Sequence, residues 1–271
     1  MKGSTRSVSA VRALAPAVCL LVAACMPVTV SGSEDARPVF RIGIVFDGGG
    51  DSDLPHMLRL REQFLAGVQE ETLALTRQEF DVRFPAEKQL SGAWTADGIQ
   101  RALDRLLDDP EVDMVLAFGP LSTGVACRRT FLNKPVIAPF LIDLESQQAP
   151  FNGTASGMRN LNYITIPLSL KQQIERYREI VGFETVHFIF DGLISEIAPE
   201  VKERTLKLTE EAGSLGVAVP LSTAAGPALA ALPRDVEAVF ILPWPRLGPE
   251  ETRELIRGIN ERKIPSLSWF G

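Results

Sequence analysis

The chain has 271 residues, 45% of them hydrophobic and 23% charged, which is enough apolar material to bury the core of one large or two small domains and too much for a disordered chain. Its net charge of −6 is acidic and contains no basic block. A phosphate backbone would find no electrostatic footprint on such a chain, so no nucleic-acid partner is expected.

The first 25 residues differ from the rest. Lys2, Arg6 and Arg12 precede an apolar run over residues 13–24. A membrane-spanning helix needs about 20 apolar residues, whereas a run of this length suits the core of a signal peptide. Residues 1–25 therefore read as a leader, and the protein as exported. The end of the run, Leu21-Val-Ala-Ala-Cys25, resembles a bacterial lipobox, in which the cysteine is diacylated and becomes the new N-terminus. The alternative is ordinary cleavage near Val30-Ser-Gly32. The first reading makes Cys25 a lipid anchor and the protein a membrane-anchored lipoprotein of the cell envelope; the second leaves it free in the periplasm. Under both, Cys19 is discarded and Cys127 has no disulfide partner. With the three leader cations removed, 25 basic residues face 34 acidic ones, a net charge of −9. Residues 26–38, rich in Pro, Ser, Gly and acids, read as a flexible tether.

From residue 39 the pattern alternates. Strand-like apolar runs occur at Phe40–Phe46, Phe80–Phe84, Val112–Phe118, Pro135–Leu141, Tyr163–Ile166, Val186–Phe190, Val217–Leu221, Ala238–Leu242 and Ile264–Trp269. Helix-period segments fall between most of them, at Leu58–Leu75, Thr95–Leu107, Thr123–Phe131, Leu168–Val181, Ala198–Leu215, Pro227–Leu232 and Glu250–Arg262. Several runs are apolar nearly throughout, as strands are when helices cover both faces of a parallel sheet. The interval Asp143–Asn162 lacks a clear helix and holds Pro150, Asn152, Gly153 and Gly157. The expected organisation is α/β, with two doubly wound parallel-sheet lobes: a first lobe over 39–142, a crossover or hinge over 143–167, and a second lobe over 168–271. A single closed barrel is the competing architecture. The helix-free middle interval and the two successive strands that flank it oppose a barrel.

The first strand runs into Asp47-Gly-Gly-Gly-Asp-Ser-Asp53. A phosphate loop needs a Lys-Ser/Thr pair and a dinucleotide fingerprint needs G-x-G-x-x-G; neither is present. Three carboxylates, Asp47, Asp51 and Asp53, would also repel phosphate, and Asp51-x-Asp53 offers too few regularly spaced oxygens for a calcium loop. Two readings stay open: a flexible turn, or a ligand-facing edge formed by Asp47, Gly48 and Gly49, since open α/β sheets bind ligands outside the carboxyl ends of their strands.

Phe118-Gly-Pro-Leu-Ser-Thr-Gly124 also joins a strand to a helix. Ser122 or Thr123 would cap that helix, and the amides beyond could hold a carboxylate; a cap with no ligand is the alternative. The spacing is not that of G-x-S-x-G, so a serine nucleophile is not expected. In the second half, Phe188-Ile-Phe-Asp-Gly192 repeats the strand-Asp-Gly form and places Asp191 at an equivalent edge. Trp244, between two prolines, either stacks on a ligand or seals a rim, and Arg246 reads as a solvated cation, with pairing to a ligand carboxylate as the alternative. His187, within an apolar strand, reads as a satisfied core residue, and Cys127 as a small buried side chain. His56 and His187 are the chain's two histidines and have no metal-binding company, so neither a metal nor another cofactor is expected, and no catalytic constellation emerges.

The phrases Asn160-Leu-Asn-Tyr-Ile-Thr-Ile-Pro-Leu-Ser-Leu-Lys-Gln-Gln-Ile-Glu-Arg-Tyr-Arg-Glu-Ile-Val181, Val236-Glu-Ala-Val-Phe-Ile-Leu-Pro243 and Asn260-Glu-Arg-Lys-Ile-Pro-Ser-Leu-Ser268 resemble the type I periplasmic-binding fold of ABC-transporter substrate-binding proteins, in the branch with aromatic amino-acid binders. The resemblance spans residues 40–271 and rests on element order and short phrases. It implies a two-lobed clamshell that closes on a small-molecule solute, an ABC permease as partner, and a Ser/Thr-rich loop for the ligand carboxylate, matched here by Ser122 and Thr123. Two departures stand out. Such proteins usually continue beyond the strand at Ile264–Trp269, so this chain reads as a fragment or as having an abbreviated second lobe; and Trp244 stands where a small or polar residue is usual. A ligand-sensing or interaction module of the envelope is the alternative function.

Overall fold

The computed structural model describes residues 37–49, 55–75, 80–145, 147–164, 169–242 and 246–268. The leader, the tether, Cys25 and Trp244 lie outside them.

The chain forms two compact units, each with its own parallel sheet. In the first, β1 (Val39–Phe46), β2 (Asp81–Arg83), β3 (Gln89–Ser91), β4 (Met114–Phe118), β5 (Val136–Ala138) and β6 (Leu161–Tyr163) run in the order β2-β1-β4-β5-β6. β3 also pairs with β1, further along it: Val39 to Arg41 lie opposite β2, and Ile44 to Phe46 opposite β3. A 3₁₀ turn at Ala86–Lys88 separates the two short strands. The residues of β6, expected within the crossover, form an edge of this sheet, with Ile137 opposite Asn162.

The apolar run of β1 follows from burial on both faces. Ile42, Ile44 and Phe46 pack on one side with Phe64 and Val68 of α1 (Pro55–Leu75). On the other side Gly43 leaves room for Leu106 of α2 (Ala96–Asp108), whose methyl carbons would lie 3.0 Å from a Cβ there. Helix α2 forms because Thr95 caps it, accepting from the Gly98 N–H at 3.0 Å, and because Ile99, Ala102, Leu103, Leu106 and Leu107 make one buried stripe.

In the second unit, β7 (Thr185–Asp191), β8 (Leu215–Leu221), β9 (Ala238–Ile241) and β10 (Ser266–Ser268) run in the order β10-β9-β7-β8. Ile189, Val219, Leu221, Val239 and Ile241 pack against α7 (Ala225–Ala231) and α8 (Pro249–Glu261) through Ala225, Ala228, Leu255 and Ile259. On the other face, Phe188 stacks on Phe240 at 5.4 Å, and Tyr177 of α4 (Leu170–Val181) meets the Phe240 ring edge-on at 6.3 Å while donating its hydroxyl to the Val239 carbonyl. Helix α4 starts at a reciprocal capping box of Ser169 and Gln172 and ends at Gly182 in the left-handed conformation, φ 78°. Helices α5 (Gly192–Ile197) and α6 (Pro199–Glu211) follow β7. With two separate all-parallel sheets, each faced by helices, the architecture is doubly wound α/β, and the barrel alternative falls.

Candidate functional site

The carboxyl end of β1 delivers Asp47 into the protein, where it is 4% exposed. The next helix along this edge is α3 (Pro120–Cys127), which begins three residues before the expected start: Gly119 stands at its cap and Pro120 at its first position, so neither Ser122 nor Thr123 caps it. A glycine cap supplies no side-chain acceptor. Asp47 takes that role from a different loop: its Oδ2 accepts from the Leu121 N–H at 2.9 Å and its Oδ1 from the Ser122 N–H at 2.6 Å. These are the amides through which a helix N-terminus holds an anion.

The approach is close enough to require Gly119. A Cβ at that position would lie 2.3–2.4 Å from the Asp47 carboxyl atoms, and the residue adopts φ 150°. Burial pushes the Asp47 carboxyl up to about 6, and the Leu121 and Ser122 amides oppose that rise by holding the ionised form. Desolvation outweighs the hydrogen bonds.

Ser122 and Thr123 are buried, at 1% and 0% exposure. The Ser122 hydroxyl donates to the Gly119 carbonyl at 3.2 Å. The Thr123 hydroxyl donates to the Ala117 carbonyl and accepts from the Phe140 N–H, both at 3.3 Å. Both side chains bind backbone, so they fix the β4–α3 turn and the residues after β5.

Gly48 and Gly49 continue the first loop. The indole of Trp94 lies over Gly48, with its Nε1 2.0 Å from where a Cβ would stand, and the Ser91 side chain would lie 2.9 Å from a Cβ at Gly49. The main chain ties the same two loops together, because the Gly92 N–H donates to the Phe46 carbonyl and the Trp94 N–H to the Asp47 carbonyl, both at 2.8 Å. Ala93 and Trp94 are both left-handed, φ 51° and 56°, an unfavourable conformation for side chains larger than Gly that these two bonds help to hold. Trp94 is partly exposed and was not among the residues expected from the sequence. Beside it, the Arg61 guanidinium lies 3.4 Å above the centre of the Phe46 ring, and Phe118 contacts Phe46, Phe64 and Phe140. This edge of the first sheet is therefore aromatic.

In the second unit Asp191 ends β7 and is 2% exposed. It caps α5 by accepting from the Leu193 N–H at 3.0 Å, and it receives Arg246 in a forked pair, Nε at 3.1 Å to both oxygens and Nη2 at 2.5 Å to Oδ1. Arg246, expected as a solvated cation, is thus bound to a buried carboxylate. Trp244, two residues before it, lies outside the described residues.

The two remaining chemical candidates are both buried. The Cys127 thiol is pushed up to about 12 by desolvation and is no nucleophile at neutral pH. His187 is 7% exposed, and burial lowers its pKa against the pull of Asp235 and Glu237. Its Nδ1 has no hydrogen-bond partner among the described residues, so it is less fully satisfied than expected. Among the described residues no His/Cys/Asp/Glu group could hold a metal ion, and no helix is long and apolar enough to cross a membrane.

The chain matches no protein-family model and no curated protein sequence. Solved structures do match it. The ABC domain in complex with L-Trp from Streptococcus pneumonia gives a TM-score of 0.53 at 14% identity over 86% of this chain and 74% of that one. A solute binding protein of an ABC transporter from Rhodopseudomonas palustris BisB5, in complex with 3,4-dihydroxy benzoic acid, gives 0.51 at 14% identity, covering 85% of this chain and 61% of that one. A periplasmic binding protein type 1 from Bordetella pertussis Tohama I gives 0.52 at 12% identity, covering 86% and 62%. These likenesses show that the chain has the type I periplasmic-binding fold.

Proposed function

We propose that, on this fold, the chain is an exported solute-binding protein that captures a small, amino-acid-like molecule for an ABC-type transporter, without catalysing a reaction on it. The observation that carries the reading is the repeated edge geometry. The leading strands β1 and β7 each end at their carboxyl edge in Asp-Gly, Asp47-Gly48 and Asp191-Gly192, which is where open α/β sheets take their ligands. In the first unit the ligand edge is the main chain of Gly48 and Gly49 with the indole of Trp94. In the second it is the loop held by Asp191 and Arg246, together with Trp244. Asp47, Ser122 and Thr123 shape the first edge from beneath. The buried thiol and the buried histidine support a non-catalytic role. Export, and the choice between a free periplasmic form and one anchored through a diacylated Cys25, belong to the same proposal on the strength of the leader, and an ABC permease as partner on the strength of the fold likeness.

The test is thermal unfolding of the purified mature protein against a library of amino acids, amino-acid amides and small aromatic acids. A saturable rise in Tm with one chemical series supports capture, since a ligand that binds only the folded state stabilises it by mass action. No rise with any member, combined with solute-free binding to an envelope protein, would overturn the proposal in favour of an interaction module.

A further inference from the structure

We infer that Asp47 is the resident anion of the α3 N-terminus and thereby sets specificity: the solute presents an uncharged or hydrogen-bond-donating group, and not a carboxylate, to this end of α3. The inference rests on the solute-binding reading and refines its substrate class.

The α3 N-terminus has the two attributes of an anion site, backbone N–H groups free of intrahelical partners and the positive end of the helix dipole. In this chain both attributes are already used. The Leu121 and Ser122 amides donate to the two oxygens of one carboxylate, 2.9 and 2.6 Å away. That carboxylate is buried, and Gly119, which has no side chain, admits it at a distance no Cβ would tolerate. The Ser122 and Thr123 hydroxyls, on the same turn of α3, donate to the Gly119 and Ala117 carbonyls. An incoming carboxylate would therefore meet a filled cradle and a like charge behind it. An amide, amine or hydroxyl would not be repelled.

The experiment uses the full mature protein at pH 7.5, with Asp47→Ala to empty the cradle and Asp47→Asn to keep it filled without charge. In the first arm, sodium formate at about 100 mM is compared with sodium chloride at equal ionic strength. Formate should raise the Tm of Asp47→Ala by about 2–4 °C and leave the parent protein and Asp47→Asn unchanged. If Asp47→Ala does not fold, Asp47→Ser is read in its place. No response of the emptied cradle to formate, or an equal response of the parent, would overturn the inference. In the second arm, paired ligands differing only at one group are titrated: L-leucine with L-leucinamide, L-tryptophan with L-tryptophanamide, and benzoate with benzamide. The parent should bind each amide at least as tightly as its acid, and Asp47→Ala should shift that ratio toward the acid by about 10-fold. A parent that prefers the acid by 10-fold, with a preference untouched in Asp47→Ala, would sink the inference while leaving solute binding intact. If nothing in the paired series binds any variant, the solute-binding reading fails for these ligands, and the formate arm still decides whether Asp47 fills an anion cradle.

Discussion

The carboxylate of Asp47 and the backbone amide of Ser122 are 75 positions apart in the chain and 2.6 Å apart in the fold. One contact thus joins the first β-strand's exit loop to the start of a buried helix and withdraws a charge from the surface at which ligands are expected.

That burial gives the protein a pH signature. The Asp47 carboxyl is raised from 3.8 to about 6 in the folded state, so between those values the folded protein binds more protons than the unfolded chain. Its contribution to stability is fully present below about pH 4 and is lost as pH rises through about 6, by about 3 kcal/mol in all. Denaturant titrations of the parent and of Asp47→Asn should converge in slope outside this window and differ within it. Parallel stability profiles across pH 4–7 would show that the carboxyl titrates normally.

Gly119→Ala should be among the most damaging small substitutions in the first unit. The added methyl would stand 2.3 Å from the Asp47 Cγ, at a backbone φ of 150° that L side chains rarely adopt. A loss of about 3 kcal/mol is expected in urea unfolding. Adding Asp47→Ala should recover part of that loss, because the clash partner is then gone.

The Asp191–Arg246 pair should behave as a coupled unit. Asp191 is 2% exposed, and the Arg246 side chain retains 22% exposure. Arg246→Met leaves a buried carboxylate with one backbone donor and should cost about 2–3 kcal/mol, while Asp191→Asn with Arg246→Met should cost less than the sum of the two single changes. A double-mutant cycle measures the difference, and strict additivity would mean that the pair does not interact in solution.

Gly48→Ala tests the contact between the glycine loop and Trp94. A methyl there would coincide with the indole, so the ring must leave its seat. Tryptophan emission should shift to the red, with a stability loss of about 1–3 kcal/mol. An unchanged spectrum would show that the ring does not occupy this position.

Much of the fold was legible because burial on both faces writes itself into β1, β4 and β7 as continuous apolar runs, and because Thr95 and Ser169 advertise their helices locally. Gln89–Ser91 was missed as a strand: it has three residues, none of them buried, and pairs with the far half of a strand whose near half is already taken. Gly192–Ile197 was too short to show a period. The start of α3 was placed late because its capping group lies on a distant loop, although Pro120 at the first helical position was a readable signal. The site was less legible for the same reason. The sequence pattern puts Asp47 and Asp191 at strand ends, but which partner each carboxylate finds, α3 for one and Arg246 for the other, is decided by contacts that no local pattern encodes.

The division of the β1 flank between β2 and β3 has a bearing on how the protein behaves when crowded. A strand from another molecule needs an unbroken row of amides and carbonyls to zip onto, and here each segment offers three residues before Pro85 and the 3₁₀ turn interrupt the row. Of the two edge strands of the other sheet, β8 and β10, the seven-residue β8 presents the longer row among the described residues, and Pro220 sits near its end. Self-association by strand addition, were it provoked, would start at β8.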